Sequence, residues 1–425
     1  MTLDSPADVR SAVEAGLRPP TVSSAGQTNG PIPLPPLGTA LARPPIVVVD
    51  DKAVPPPKTA YIDLKEVGAT EYMAEFSPPM QSKNRQGQPF EVRSSNAMPR
   101  PELSLVKDLG GGLKIKSRLE FWEEVLRFSN ANKRLRLWLN ALHHAEDGPY
   151  AIILNDHIGL PFPWEMVAFD DEETGEAKRL GSAFVVVRWP ISDRIDFPPH
   201  ALPEQVEGKV VVYLSDDISK GELQTLQQYT QGILNDIQQF KRLLLEGPAG
   251  YGLVYLGCHA VLAEHTLRWM VLGNRQKVEQ QLRLYDLQFI GGEFARLKLL
   301  RNSRAVVCIN ACHSALVSET DARTGVRESF TETFLDNYAS GVIGTIGLVD
   351  DKDFAPTITR ELIEQMNQGI PIAEALQRVR ESRYTALNTI LNRERRNPTH
   401  EELKDFFNAF MYVYYGNPLT RLKVQ

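Results

Sequence analysis

The sequence is poor in cysteine and has no long hydrophobic run. Only Cys258, Cys308 and Cys312 occur among the 425 residues, too few for the disulfide framework of a small secreted protein. We therefore expect all three to be free thiols. No run of about 18 apolar residues is present, as a membrane-spanning helix requires, and the first residues lack the basic-then-apolar order of a secretory signal. These absences predict a cytoplasmic protein that does not bind membranes.

The sequence also lacks an excess of positive charge and an internal repeat. The formal net charge is −6, the isoelectric point is near 5.9, and basic residues are interspersed with acidic ones. Direct binding to nucleic acid is therefore not expected, because it depends on a basic surface. Without a repeat a solenoid is not expected either. The length allows two domains with a substantial core.

Residues 1–57 are rich in proline, glycine, serine and alanine. A segment of this composition buries little apolar surface and is typical of disorder. We expect a disordered arm over residues 1–57. It contains one apolar island, Ile46 to Val49, so the arm is either a linker or a docking segment.

From residue 58 onward the pattern alternates between strands and helices, with a proline-rich boundary at residues 198–203. Alternating strands and helices predict a doubly wound, mainly parallel sheet with helices on both faces. We expect an α/β domain at 58–200 and a second one at 204–425. The predicted strands are 61–64, 72–76, 150–154, 184–189, 209–214, 251–259, 304–312 and 340–348, and the predicted helices are 121–142, 223–244, 284–300, 326–338, 353–368 and 371–391.

Two of these strands end in residues that are suited to catalysis. One ends at His259 and the other at Cys312. Open α/β sheets build their sites beyond the carboxyl ends of neighbouring strands, so a thiol and its base can meet here. A thiol becomes nucleophilic when a base removes its proton. We also expect a helix to begin just after Cys312, where its amide groups favour thiolate.

The same residues allow two other interpretations. The first is that Cys312 is a buried structural cysteine, as we expect for Cys308 within its strand and for Cys258, whose side chain alternates away from His259. The second is a zinc site formed by Cys258, His259 and the segment 308–313. Zinc ligands usually come in pairs two residues apart on a turn, and that spacing is absent. We therefore expect no metal.

Six segments of the chain follow one another in a recognisable order. They are Leu160-Pro161 through Pro163-Trp164-Glu165, Gly257-Cys258-His259-Ala260, Asn310-Ala311-Cys312-His313-Ser314, Ser340 to Asp351, Ile372 to Arg380 and Phe407 to Pro418. In this order they resemble the CHAT family of caspase-like cysteine peptidases, relatives of caspases, metacaspases and separase. The likeness spans roughly residues 60–425, and in caspases the histidine precedes the cysteine by about 50 residues, as here.

The resemblance implies a caspase-like catalytic domain at 204–425, preceded by a smaller α/β pseudo-caspase domain at 58–200. It implies that Cys312 attacks a peptide carbonyl, that His259 acts as general acid and base, and that the backbone N–H groups of Cys312 and Ala260 surround the oxyanion. No cofactor is implied. The implied partners are a protein substrate and an activating protein or signal, in bacterial defence or regulated cell death.

The chain departs from the family pattern at three places. Ala260 replaces a glycine after the histidine, and Gly347 or Leu348 stands where the family has a tryptophan. Asn310 replaces an acid that binds a basic substrate side chain in metacaspases. The neutral Asn310 weakens the case for a substrate with Arg or Lys at that position. We assign Asn310, Asp216 and Asp217 to substrate binding; the alternative for Asp216 and Asp217 is a solvated loop after the strand at 209–214.

Two further expectations remain open. Ser318 to Ser329 is expected to be an exposed loop beside the site. The resemblance implies that it becomes ordered on activation, and the alternative is an ordinary solvated surface loop. The rival function is a catalytically silent interaction module that presents its cleft or proline-rich arm to a partner; the presence of both Cys312 and His259 argues against it.

Overall fold

The described residues form one 13-stranded sheet, in which most neighbouring strands run parallel. The structure is a computed structural model that describes residues 56–67, 71–79, 83, 93–99, 115–145, 151–159, 162–191, 195, 197–218, 221–230, 232–262, 270–290, 293–294, 296–317, 329–349, 354–396 and 398–425. Nearly all of the predicted 1–57 arm lies outside these residues, so its disorder stays a prediction.

The strands of the described residues are β1 (Thr59–Glu66), β2 (Glu71–Ser77), β3 (Arg93–Ser94), β4 (Met98–Pro99), β5 (Ala151–Asp156), β6 (Ala168–Asp170), β7 (Ala177–Arg179), β8 (Val185–Pro190), β9 (Gln205–Leu214), β10 (Ile233–Leu234), β11 (Tyr251–Gly257), β12 (His259–Leu262), β13 (Met270–Gly273), β14 (Gln281–Arg283), β15 (Phe289–Ile290), β16 (Glu293–Phe294), β17 (Val306–Asn310), β18 (Gly341–Thr345), β19 (Tyr412–Gly416) and β20 (Arg421–Val424).

The α-helices of the same residues are α1 (Ile115–Ala131), α2 (Lys133–His143), α3 (Leu180–Ala183), α4 (Gly221–Leu226), α5 (Ile237–Glu246), α6 (Leu284–Gln288), α7 (Lys298–Ser303), α8 (Phe330–Asp336), α9 (Phe354–Asn367), α10 (Ile372–Asn388) and α11 (His400–Met411). Short 3₁₀ turns occur at Trp164–Met166, Pro199–Ala201 and Val278–Gln280, and a π-helical turn, Thr389–Glu394, continues α10.

The sheet has the order β10-β9-β11-β17-β18-β19-β8-β5-β1-β2-β3, with β20 beside β9 and β4 beside β2. The pairs from β10 to β18 and from β19 to β1 are parallel, whereas β19 runs antiparallel to β18. Every residue of β17 and β18 is buried, as expected for parallel strands covered on both faces. The predicted α/β class, a mainly parallel sheet flanked by helices, is confirmed.

The sheet is continuous across the predicted domain boundary near residue 200. Strand β8, from the first predicted domain, lies directly beside β19, from the second. The strands of both segments therefore share one hydrogen-bonded sheet, and the predicted boundary divides the chain without interrupting the sheet.

Three predicted helices are wrong in extent. The segment predicted as one helix at 121–142 is interrupted at Asn132, between α1 and α2. The segment predicted as one helix at 223–244 is divided into α4, β10 and α5. Strand β10 pairs with β9, and Asp236 caps α5 because its side chain accepts a hydrogen bond from the backbone N–H of Gln238 at 2.8 Å. The segment predicted as a helix at 284–300 contains α6, the small hairpin β15–β16 and α7.

Three of the family-like segments meet at one buried charge cluster, which consists of Glu165, Arg188 and Arg380. Arg188 donates two hydrogen bonds to the Glu165 carboxylate, at 3.0 and 2.5 Å. Arg380, at the end of the 372–380 segment, is fully buried and donates to the backbone carbonyl of Tyr412 at 2.5 Å. Burial favours a raised pKa for Glu165, but the charge and hydrogen bonds of Arg188 outweigh it and the pKa is lowered. The cluster links the 163–165 corner to the centre of the sheet.

Among the helices of the described residues, none is both long and apolar enough to cross a membrane.

Candidate active site

Strand register brings His259 and Cys312 to the same edge of the sheet. Strands β11 and β17 are parallel neighbours, and Gly257 pairs with Asn310 at their carboxyl ends. His259 follows Gly257 by two positions, and Cys312 follows Asn310 by two positions. Neighbouring strands lie about 4.8 Å apart, so both residues leave the sheet at the same level from adjacent strands. Asp217 follows β9, the strand on the other side of β11, where Leu214 pairs with Gly257.

The turn that carries Cys312 is fastened to the end of β18. The backbone N–H of His313 donates to Gly347 at 3.0 Å, and that of Ala315 donates to Thr345 at 2.9 Å. The Thr345 hydroxyl donates to the carbonyl of Ala311 at 2.7 Å. These contacts hold the backbone on both sides of Cys312.

The prediction that a helix begins just after Cys312 is wrong within the described residues, and the same contacts explain why. Residues 311–315 form turns, and no helix starts before residue 318. The amides of His313 and Ala315 bond to the β18 segment, so a helix N-terminus does not supply the electrostatics at Cys312.

His313, although adjacent to Cys312, faces the interior. Its φ of 59° lies in the left-handed region, which is rare for a residue other than glycine. Its side chain is buried, and Nδ1–H donates to the carbonyl of Ile346 at 3.3 Å. Burial lowers the pKa of His313, which favours a neutral ring. His313 therefore does not replace His259 as the predicted base, and the left-handed turn at His313 changes the direction of the chain beside Cys312.

The three cysteines have different environments, as the sequence predicts. Cys258 and Cys308 are buried and Cys312 is partly exposed, and all three are free thiols. Burial raises the pKa of both Cys258 and Cys308 far above the usual range, which keeps them protonated and unreactive. The Cys312 Sγ lies 3.8 Å from the carbonyl oxygen of Val349.

Asp217 approaches the imidazole of His259. Its Oδ2 lies 3.8 Å from His259 Nε2, and the two side chains are 26% and 11% exposed. The same Oδ2 accepts a hydrogen bond from the backbone N–H of Arg275 at 3.0 Å, while Oδ1 accepts one from the hydroxyl of Ser215. The carboxylate is thus held from two sides. Sequence reasoning did not reveal the Arg275 contact, because the two residues are far apart in the chain.

Asp216 has different partners from Asp217. Its carboxylate accepts a hydrogen bond from the Asn274 side chain at 2.5 Å and forms an ion pair with Lys277. Both partners belong to the connection between β13 and β14. That connection therefore packs against the loop after β9, and the contact of Asp216 with substrate stays a prediction.

Asn310 lies beneath the cysteine turn. Its Nδ2 donates to Glu222 at 2.8 Å and to the Tyr255 hydroxyl at 2.9 Å, and its Oδ1 accepts from the Tyr412 hydroxyl at 2.6 Å. Gly257 makes room for this network, since a Cβ there would lie 2.6 Å from a Glu222 carboxylate oxygen. Both ends of the Asn310 amide are engaged in the core, which supports the turn above it; a contact with substrate stays a prediction here too.

Two predicted features fall wholly or partly outside the described residues. Residues 318–328 of the predicted loop and residues 350–353, which end the Gly-rich segment, are not described. Ser329 is described, and it is a buried N-cap of α8 whose hydroxyl accepts from the Glu332 backbone N–H at 3.0 Å. Ala260 lies in β12, where it pairs with Leu272 of β13. Its role in stabilising the oxyanion stays a prediction. Within the described part of the chain, no group of three His, Cys, Asp or Glu side chains is arranged to hold a metal ion.

Comparison with known proteins identifies the part of the chain that carries this site. Two structures of the Saccharomyces cerevisiae separase–securin complex are similar, with TM-scores of 0.47 and 0.44 and 12% sequence identity. Each match covers 86% of this chain and 30% of the matched chain, so this chain spans less than a third of that protein's length. No curated protein matches the sequence. The CHAT domain model matches residues 200–399, which include Asp217, His259 and Cys312. The chain is thus similar to the CHAT domain family over residues 200–399.

Proposed function

We propose that the chain is a cysteine endopeptidase of the CHAT type that hydrolyses peptide bonds in a protein substrate. The observation that carries the proposal is the register of β11 and β17, which sends His259 and Cys312 out of the sheet at one level. The partial exposure of Cys312, beside two buried cysteines, supports the assignment of the nucleophile. The CHAT match supports the reaction class.

In the proposed reaction, His259 takes the proton of the Cys312 thiol, and Sγ forms a bond to the carbonyl carbon of the scissile peptide. The negative charge moves to the carbonyl oxygen, where the N–H groups of Cys312 and Ala260 stabilise it. The C–N bond then breaks as His259 gives its proton to the leaving amine. Water, deprotonated by His259, attacks the thioester and releases the acid and the thiol. The water proton that His259 takes in this step returns to the Cys312 sulfur, so both residues end the cycle in their starting state.

We further propose that the enzyme works in the cytoplasm and is switched on by a protein or signal, in bacterial defence or regulated cell death. The three free thiols are consistent with a reducing compartment. Asp216, Asp217 and Asn310 stay our proposals for residues that line the substrate-binding cleft.

A peptide library cleaved by the wild type and by Cys312→Ala tests the function. We expect cleavage by the wild type alone, and selective labelling of Cys312 by a thiol-reactive probe. A folded wild type that labels at Cys312 but cleaves no peptide, with or without a candidate activator, would favour the silent interaction module. Cleavage by Cys312→Ala at the wild-type rate would disprove the assignment.

A further inference from the structure

The acid that follows β9 completes a row of three reactive side chains along one edge of the sheet. Strands β9, β11 and β17 are consecutive neighbours, and beyond their carboxyl ends stand Asp217, His259 and Cys312. The three strands end at one level of the sheet, where Gly257 pairs with Leu214 on one side and with Asn310 on the other. The row therefore places His259 between a carboxylate on one side and a thiol on the other.

Two hydrogen bonds hold the Asp217 carboxylate in one orientation, as a group that orients another side chain requires. The Ser215 hydroxyl and the Arg275 backbone N–H each donate to one of its oxygens. Such contacts orient a carboxylate before a reaction begins and remove the cost of ordering it. The oxygen that faces Arg275 is also the oxygen 3.8 Å from His259 Nε2. This separation exceeds a hydrogen bond, and catalytic contacts of this kind often tighten only when substrate binds.

Among the described residues, the neighbouring charged side chains do not form an ion pair that neutralises the Asp217 carboxylate. Lys277 forms its ion pair with Asp216, and Arg275 contacts Asp217 through its backbone amide. The Cys258 thiol, which also lies close to Asp217, is kept neutral because burial raises its pKa. A negative charge at Asp217 is therefore available to stabilise a positive imidazolium.

We propose that Asp217 is a positioning residue that orients His259 and stabilises its protonated form. This proposal rests on the proposed function of the site. With Nε2 turned toward Asp217, Nδ1 is the nitrogen that exchanges a proton with Cys312. The charged pair of thiolate and imidazolium then forms before substrate arrives. This role differs from a substrate contact, because it acts on Cys312 even when no peptide is bound.

The test uses alkylation of Cys312 by iodoacetamide at mildly acidic pH, a reaction of the thiolate that needs no substrate. The variants are Asp217→Asn and His259→Ala. The first keeps nearly the same side-chain shape: the new amide carbonyl can still accept from Arg275, while the Ser215 hydroxyl turns to accept from the amide N–H. Glu279→Gln is the matched control, because it removes one exposed acid from the same β13–β14 connection.

We expect Asp217→Asn to slow alkylation at least about tenfold, in the same direction as His259→Ala, with an unchanged melting temperature. Peptide cleavage should lose kcat while KM stays within about twofold. Glu279→Gln should resemble the wild type in both assays.

Alkylation of Asp217→Asn at the wild-type rate would overturn the proposal, and so would wild-type alkylation that does not depend on His259. A rise in KM confined to peptides with Lys or Arg, with alkylation unchanged, would make Asp217 a substrate contact instead. A protein that shows the alkylation pattern but cleaves no peptide would retain the Asp217 role and lose the proposed peptidase function.

Discussion

The assignment of Cys312 and His259 makes a sharp prediction about single side chains. Cys312→Ala and His259→Ala should each abolish peptide cleavage, because the thiol and the imidazole act together and the loss of either one removes most of the rate. The melting temperature of both variants should stay nearly unchanged. Initial rates and thermal unfolding of the purified variants measure both properties. Cys258→Ala is the matched control; its thiol is buried with a strongly raised pKa, so its replacement should retain cleavage. Retention of full activity by a folded Cys312→Ala protein is the contrary result.

At the level of the element, the cysteine turn depends on the end of β18. Thr345→Val keeps the shape of the buried side chain but removes the hydroxyl that donates to Ala311. The Ala311 carbonyl then loses its shorter hydrogen bond and keeps the longer one from the backbone N–H of Ser314 at 3.2 Å, so we expect a loss of about 1 kcal/mol in the free energy of unfolding. Because the turn carries Cys312, kcat should fall more than KM rises. Denaturant unfolding and steady-state kinetics test this, with Thr389→Val as a control.

Thr389 suits this comparison because its hydroxyl donates to Thr385 on an exposed helical turn. Its replacement should change neither stability nor kcat appreciably. Equal kinetics for Thr345→Val and Thr389→Val would show that the Thr345 contact does not support the turn that carries Cys312.

The elements also show what sequence patterns can and cannot predict. Strands β11 and β17 were predictable because their apolar runs are short and end in small residues. Both end two residues earlier than predicted, at Gly257 and Asn310, and His259 begins β12; the parallel topology still brings His259 and Cys312 to one edge. The antiparallel direction of β19 was not predictable from its aromatic residues, because direction depends on the preceding connection through α11. The division of the 223–244 segment was missed because its apolar spacing suits a helix, although Gly232 and the capping residue Asp236 signal a break. The link from Asp217 to Arg275 depends on tertiary structure alone.

At the scale of the whole molecule, the Glu165–Arg188–Arg380 cluster connects segments that are distant in sequence. Arg188→Met should destabilise the protein by about 3–5 kcal/mol, since it leaves the Glu165 charge buried without its bidentate partner. The wild-type contribution has a defined pH dependence. The pKa of Glu165 is lowered from 4.5, so its stabilisation is complete above that value and is lost as the pH falls through the lower folded-state pKa.

Chemical denaturation of the wild type and of Arg188→Met, at neutral and acidic pH, measures this contribution. The exposed ion pair of Arg378 with Glu374 on α10 provides the control, and Arg378→Met should cost less than about 1 kcal/mol. Similar losses for the two variants would contradict the importance of the buried cluster.

The proline-rich arm gives a second prediction at this scale. Deletion of residues 1–57 should leave the melting temperature nearly unchanged, because a segment with so little apolar content contributes few core contacts. Thermal unfolding of the shortened chain is the measurement. A fall of many degrees would show that the arm packs on the folded body and that its composition was misinterpreted.

The strand order has a consequence for a chain that is cut. A break anywhere between residues 318 and 328 would place β18, β19 and β20 on a separate fragment. Each of these strands pairs with a strand of the larger fragment: β18 with β17, β19 with β8, and β20 with β9. Three lines of hydrogen bonds, at separate places in the sheet, would hold the two pieces together without a peptide bond. The cleaved protein should therefore migrate as one species in gel filtration and as two bands only after denaturation.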